Sequence, residues 1–80
     1  MTGDEIFEAL KEILVDKLDA DEQKVVPGAR FADDLEMDSV GLVKLVTHVN
    51  KKFGTKLTPR DAVAIKTVGD AVDFVAKQTS

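Results

Sequence analysis

Apolar residues recur at three- and four-residue steps through the first segment of the chain. Ile6, Phe7, Leu10, Ile13, Leu14 and Leu18 set the rhythm, with Glu8, Lys11, Glu12 and Asp16 between them. That spacing lays one apolar stripe along a helix and predicts an amphipathic helix ending near Asp19. Asp4 and Glu5 stand where the positive end of the helix dipole favours carboxylates, and either Thr2 or Asp4 can cap it. The period then lapses. Residues 19–38 carry a Pro27-Gly28 turn signal and form a long connection. A loop of that length in a compact domain is functional or pinned by buried side chains, here Val25, Val26, Phe31 and Leu35.

Helical period resumes at Ser39. Leu42, Leu45, Val46, Val49 and Phe53 make a stripe, widened by Val40 and Val43. Asp38 or Ser39 serves as its cap, and Gly54 is placed to stop it. Thr58-Pro59 reads as a cap followed by proline at the first helical position, opening a short helix through Ala64. Thr67, with Asp70 three residues on, resembles a capping box with Asp in place of Glu. It opens a last helix whose apolar face is Val68, Ala71, Val72 and Val75. No long stretch alternates with a period of two. The expected fold class is therefore all-α, a four-helix bundle with three longer helices, a short third helix and a long first loop. Residues 1–80 are expected to form a single domain.

Composition narrows the function. The 80 residues contain no cysteine and one histidine, so disulfide staples, a thiol nucleophile of the chain's own and a histidine-built metal site are all excluded. The apolar runs are too short to span a bilayer, and no charged-then-apolar leader opens the chain. A discrete, cytoplasmic, monomeric protein without membrane insertion is expected. The net charge of −4 hides a split. Residues 1–38 hold twelve acids against four bases, −8, whereas residues 39–80 hold three acids against seven bases, +4. One such face can dock a partner. Nucleic acid is not that partner, because an acidic chain without tyrosine or tryptophan lacks both the charge and the stacking platforms.

Candidate catalytic chemistry is sparse. His48 falls among Lys44, Lys51 and Lys52 on the outer side of the second helix, where a lone surface histidine is the simpler reading. Asp33, Asp34, Glu36 and Asp38 lack the glycine and distal glutamate of a calcium loop. Asp38-Ser39-Val40 stands out at the join of loop and helix. A serine there meets free backbone N–H groups and the helix dipole, which favour an attached phosphate.

Phe31-Ala-Asp-Asp-Leu-Glu-Met-Asp-Ser-Val40 resembles the phosphopantetheine attachment site of acyl carrier proteins, usually written F-x-x-D-L-G-x-D-S-L. Phe31, Asp34, Leu35, Asp38 and Ser39 match it. Phe53, Leu57-Thr-Pro59, Ile65 and Thr67-Val-Gly-Asp-Ala-Val-Asp-Phe-Val75 are similar to the family's later helices. The resemblance implies a four-helix bundle that catalyses nothing. It implies 4′-phosphopantetheine placed on Ser39 by a phosphopantetheinyl transferase, with Asp38 flanking the site. The arm's thiol then holds acyl groups as thioesters and presents them to acyl-loading, acyl-transfer or condensing enzymes. Val43, Val46, Ile65, Ala71 and Val72 are expected to line a space for the acyl chain between the second, third and fourth helices.

Three departures matter. Glu36 replaces the usual glycine and Val40 the usual leucine. Gly41, Lys44, Lys51 and Lys52 occupy positions where fatty-acid-type carriers tend to be acidic. Val40, Lys44, Lys51, Lys52 and Lys56 are thus expected to form a basic docking face, which favours a polyketide, lipopeptide or modified-lipid pathway over housekeeping fatty-acid synthesis. The alternatives are an aminoacyl or D-alanyl carrier, to which Asp-Ser-Val-Gly is also similar, an unmodified helical interaction module, and, last, a small hydrolase using Ser39.

Overall fold

The computed structural model describes residues 2–79. Four helices appear in chain order: α1 (Gly3–Leu18), α2 (Ser39–Phe53), α3 (Pro59–Ala64) and α4 (Val68–Thr79). A single 3₁₀ turn, Glu22–Lys24, interrupts the long loop, an element the apolar pattern does not announce. The all-α expectation holds, with one isolated antiparallel bridge between Arg30 and Thr67.

Capping decides where each helix begins. Thr2, not Asp4, caps α1: its Oγ1 accepts from the Glu5 N–H at 3.2 Å while its own N–H donates to Glu5 Oε1 at 3.1 Å. That hydrogen bond from the Thr2 backbone is the chief reason the Glu5 carboxyl is held below its ordinary range. Thr58 and Asp61 repeat the arrangement at α3, and Thr67 and Asp70 at α4. Each reciprocal pair satisfies two N–H groups that a helix start otherwise leaves open. At the other end of α2, Gly54 takes the left-handed conformation, φ 69°, and its N–H reaches Asn50 O at 2.9 Å.

α1 packs against both α4 and α2, and α3 packs chiefly on α2. Ile6, Leu10, Leu14, Leu45, Val68 and Val75 form the buried centre, with Phe31 from the loop as its largest side chain. Val25 and Phe31 pin the loop as expected, and Leu35 is half-buried. Val26 does not. It is 49 % exposed, and Ala29 goes inward in its place. The reason is the Pro27-Gly28 turn, closed by the Ala29 N–H on Val26 O at 2.9 Å, which sends the two side chains to opposite sides.

Three backbone hydrogen bonds then stitch the loop to the start of α4: Phe31 N–H to Lys66 O at 3.1 Å, Val68 N–H to Ala29 O at 3.0 Å, and Gly69 N–H to Pro27 O at 2.8 Å. The last demands a glycine, because a Cβ at position 69 would stand 3.0 Å from Pro27 O. The loop is therefore a fixed wall of the bundle. That is what positions the residues leading into α2.

Candidate functional site

The corner at the start of α2 is built from the sequence upward. Phe31, fully buried, anchors it, and its carbonyl accepts the Met37 N–H at 2.8 Å. Asp34 folds back so that Oδ2 accepts the Arg30 N–H at 2.8 Å, while Arg30 O accepts from the N–H groups of Asp34 and Leu35. The backbone bond from Arg30, before the guanidinium charge, holds the Asp34 carboxyl below the usual carboxylate range. The Arg30 side chain also lies 3.3 Å from Asp33 and 3.6 Å from Asp34. Glu36, where the resembling motif carries glycine, sits in the left-handed region at φ 54°. The turn needs that backbone, which explains why glycine is usual there.

Of the two candidate caps, Asp38 is the one used. Its backbone is extended and its Oδ1 accepts the Gly41 N–H at 2.9 Å. Ser39 is thereby free of capping duty. It is the first helical residue, exposed, at an N-terminus whose N–H groups and dipole suit a phosphodiester. His48 lies nine residues along the same helix, about 13 Å of axial rise away, beside Glu12, Asp16, Lys51 and Lys52. It stands too far along the helix to act as a base on Ser39.

The remaining candidates separate. Val40 and Val43 are 60 % and 42 % exposed, and Lys44, Thr47 and Lys51 are exposed with them along the outer ridge of α2. Lys52 turns toward α1, in a groove with Glu8, Glu12 and Asp16. Lys56 is exposed beyond the helix end, its N–H donating to Gln78 Oε1 at 2.8 Å. Lys44 and Lys51 thus share the outer ridge of α2, with Lys51 also bordering a groove that holds Glu12 and Asp16 of α1, while Lys52 and Lys56 are set off from the ridge.

Among the five expected to line an acyl space, Val46, Ile65 and Ala71 are buried in the core. Val43 is corrected by its exposure: it lies two residues, about 200° around the helix, from buried Leu45. Val72 is corrected too. It is half-buried on the α1 side, its Cγ1 3.9 Å from where a Cβ of Gly3 would stand. Asn50 was not singled out by the sequence. Its Nδ2 donates to Leu57 O at 2.9 Å and its Oδ1 accepts from Thr55 Oγ1 at 2.7 Å and Leu57 N–H at 2.9 Å, bracing the α2–α3 loop.

The family described as "Phosphopantetheine attachment site" matches residues 8–75. An acyl carrier protein of Thermosynechococcus vestitus is 41 % identical over 75 residues, which cover 94 % of this chain and 93 % of that protein. One of Rubrobacter xylanophilus is 40 % identical over 77 residues, 96 % of this chain and 95 % of its own length. The solved structure of an acyl carrier protein from Enterococcus faecalis superimposes with a TM-score of 0.77 at 31 % identity, covering 98 % of this chain and 99 % of that one.

Proposed function

Because the chain belongs to the acyl carrier proteins, with their covalently attached 4′-phosphopantetheine, we propose that Ser39 bears that arm and that the chain carries acyl thioesters between enzymes without catalysing a step itself. The observation that supports Ser39 is the corner it occupies: an exposed hydroxyl at the first position of α2, relieved of capping by Asp38 and held by a loop bonded on both sides. A phosphopantetheinyl transferase joins Ser39 Oγ to the phosphorus of coenzyme A nearest the pantetheine. The Oγ–P bond forms, the P–O bond to the nucleotide breaks, and adenosine 3′,5′-bisphosphate leaves with the proton going to solvent or base. The arm supplies the thiol that this cysteine-free chain lacks.

The ridge of Val40, Val43, Lys44 and Lys51 is the docking face for the enzymes served. Its charge fits partners with acidic or apolar surfaces, and like charges brought together disfavour partners built around basic patches. This supports a specialised polyketide, lipopeptide or modified-lipid pathway over a housekeeping one. Val46, Ile65 and Ala71 face the seam in which an acyl chain is sheltered, each buried methylene contributing about 0.8 kcal/mol, so a medium-length acyl form melts above the thiol form. Intact-mass measurement after incubation with coenzyme A and a broad-specificity transferase tests the central claim. Wild type gains one phosphopantetheinyl group and Ser39→Ala gains none while keeping its helical circular dichroism. Modification that persists in Ser39→Ala refutes the assignment.

A further inference from the structure

Between the last turn of α1 and the first turn of α2 lies an open cleft of about 420 Å³, lined by Asp38 and Val40, the two neighbours of Ser39 in the chain. Lys17 stands on its α1 side and Lys44 on its α2 side, and Leu18, Met37 and Val40 supply apolar wall. Asp19 and Glu36 complete the edge. They are the non-glycine residues with left-handed backbone, φ 56° and 54°, among those described. Gly41 also lines the cleft. A Cβ there would rest 3.4 Å from Met37 Cε and 3.5 Å from Met37 Cβ, an ordinary contact that the fold can accept. Glycine weakens a helix relative to alanine. Neither backbone conformation nor crowding calls for glycine at position 41, whereas keeping the cleft open beside Met37 does.

The cleft has the chemistry of the arm. With Asp38 committed to the cap, Asp19 and Glu36 remain as hydrogen-bond acceptors and Lys17 and Lys44 as donors. Three carboxylates against two ammonium groups disfavour a free anion, which would be repelled as much as held. A chain that is apolar at one point and amide-rich beyond it fits better. Pantetheine is such a chain: a gem-dimethyl group next to the phosphodiester, then a hydroxyl and two amides.

We propose, resting on the reading that Ser39 is the attachment point, that this cleft is the resting berth of the phosphopantetheine arm. The phosphodiester stays on Ser39 at the rim, where the first N–H groups of α2 face it, with the gem-dimethyl group against Met37 and Val40 and the amide N–H groups toward Asp19 and Glu36. Val40 and Lys44 belong also to the docking ridge, so a partner seated there takes over these contacts and releases the arm.

The test loads the full chain with coenzyme A made from ¹³C,¹⁵N-labelled pantothenate and reads the arm by nuclear magnetic resonance, with intact mass as an independent check of loading. In the wild type, the labelled arm amide has an order parameter above about 0.6, the boundary below which a backbone counts as flexible, and the gem-dimethyl protons give Overhauser contacts to Met37 and Val40. Gly41→Ala narrows the cleft: the contacts disappear and the order parameter falls, while the unmodified variant melts no lower than wild type. Lys17→Ala with Lys44→Ala loosens the arm likewise. A fully loaded wild type whose arm amide stays below that boundary without contacts overturns the berth and leaves the carrier reading intact. So does a Gly41→Ala form whose contacts are unchanged. Absence of loading by mass overturns the attachment point, and the berth with it.

Discussion

Glu36→Gly should stabilise the protein, against the usual direction of point substitutions. The backbone of residue 36 is left-handed at φ 54°, in the turn that delivers Asp38 and Ser39 to the start of α2. A non-glycine residue there crowds its Cβ against the following carbonyl at a cost of about 1–2 kcal/mol. Glycine removes that cost but loses about 0.5–1 kcal/mol more in chain entropy on folding. The Glu36 side chain is exposed, and no contact that would be lost is comparable in size. The net is a gain of about 1 kcal/mol, which raises the melting temperature of a domain this size by about 4–8 °C. Glu36→Ala is the control, because it removes the same side chain while keeping the Cβ; it should stay within about 0.5 kcal/mol of wild type. Thermal and urea unfolding of the unmodified protein measure both. A Glu36→Gly form that melts with or below Glu36→Ala would show that the turn is not strained and that the reasoning is wrong.

Asn50→Ala removes the brace of the α2–α3 loop and leaves the Leu57 N–H and O without their partner, so urea unfolding should show a loss of about 2–3 kcal/mol, at about 1 kcal/mol per hydrogen bond; a loss under about 0.5 kcal/mol contradicts the bracing role. Asp34 has its folded pKa depressed below 3.8, first by the Arg30 N–H, so its contribution is fully present above the unfolded value and is lost as pH falls through the folded one. Asp34→Asn should therefore be less stable than wild type at neutral pH, with the gap closing in acid; a gap independent of pH contradicts this. Reversing Lys44 and Lys51 to glutamate should slow loading or transfer by the cognate enzyme, and raising salt should slow the wild-type reaction; equal rates for the two proteins would remove the basic ridge from the docking account.

The sequence made legible what depends on local chemistry and periodicity. Caps at Thr58 and Thr67, the stop at Gly54 and the stripes of α1, α2 and α4 all follow from side chains interacting within one or two turns. The motif residues were visible for the same reason, since Asp34 bonds four residues back and Asp38 three residues ahead. What stayed hidden depends on partners distant in the chain. The stitch from residues 27–31 to residues 66–69 is made by backbone groups, which no side-chain pattern encodes, apart from the small residue needed at Gly69. The choice of Ala29 over Val26 as the inward residue follows from that stitch and turn. Val43 and Val72 are expected in a shared space partly from the family resemblance and partly because each is apolar on its helix, Val43 widening the stripe of α2 and Val72 belonging to the apolar face of α4. A stripe edge, however, can face solvent or the opposite neighbour, and only the packing decides which.

The same packing divides the molecule in a way that suits a carrier. α1 and α4 pair, and the loop is bonded to the start of α4, so the corner bearing Ser39 is referenced to that framework on its loop side. α3 pairs with α2 and is held there through Asn50 and Leu57. Val46, Ile65 and Ala71 are buried in the core that these elements share. α3, a helix of 6 residues, is followed within two residues by Lys66, whose carbonyl accepts the Phe31 N–H, so its C-terminal end and the corner holding Ser39 share one loop anchor. The corner proposed to bear the arm is thus fixed by hydrogen bonds on its loop side, as recognition by a modifying enzyme requires.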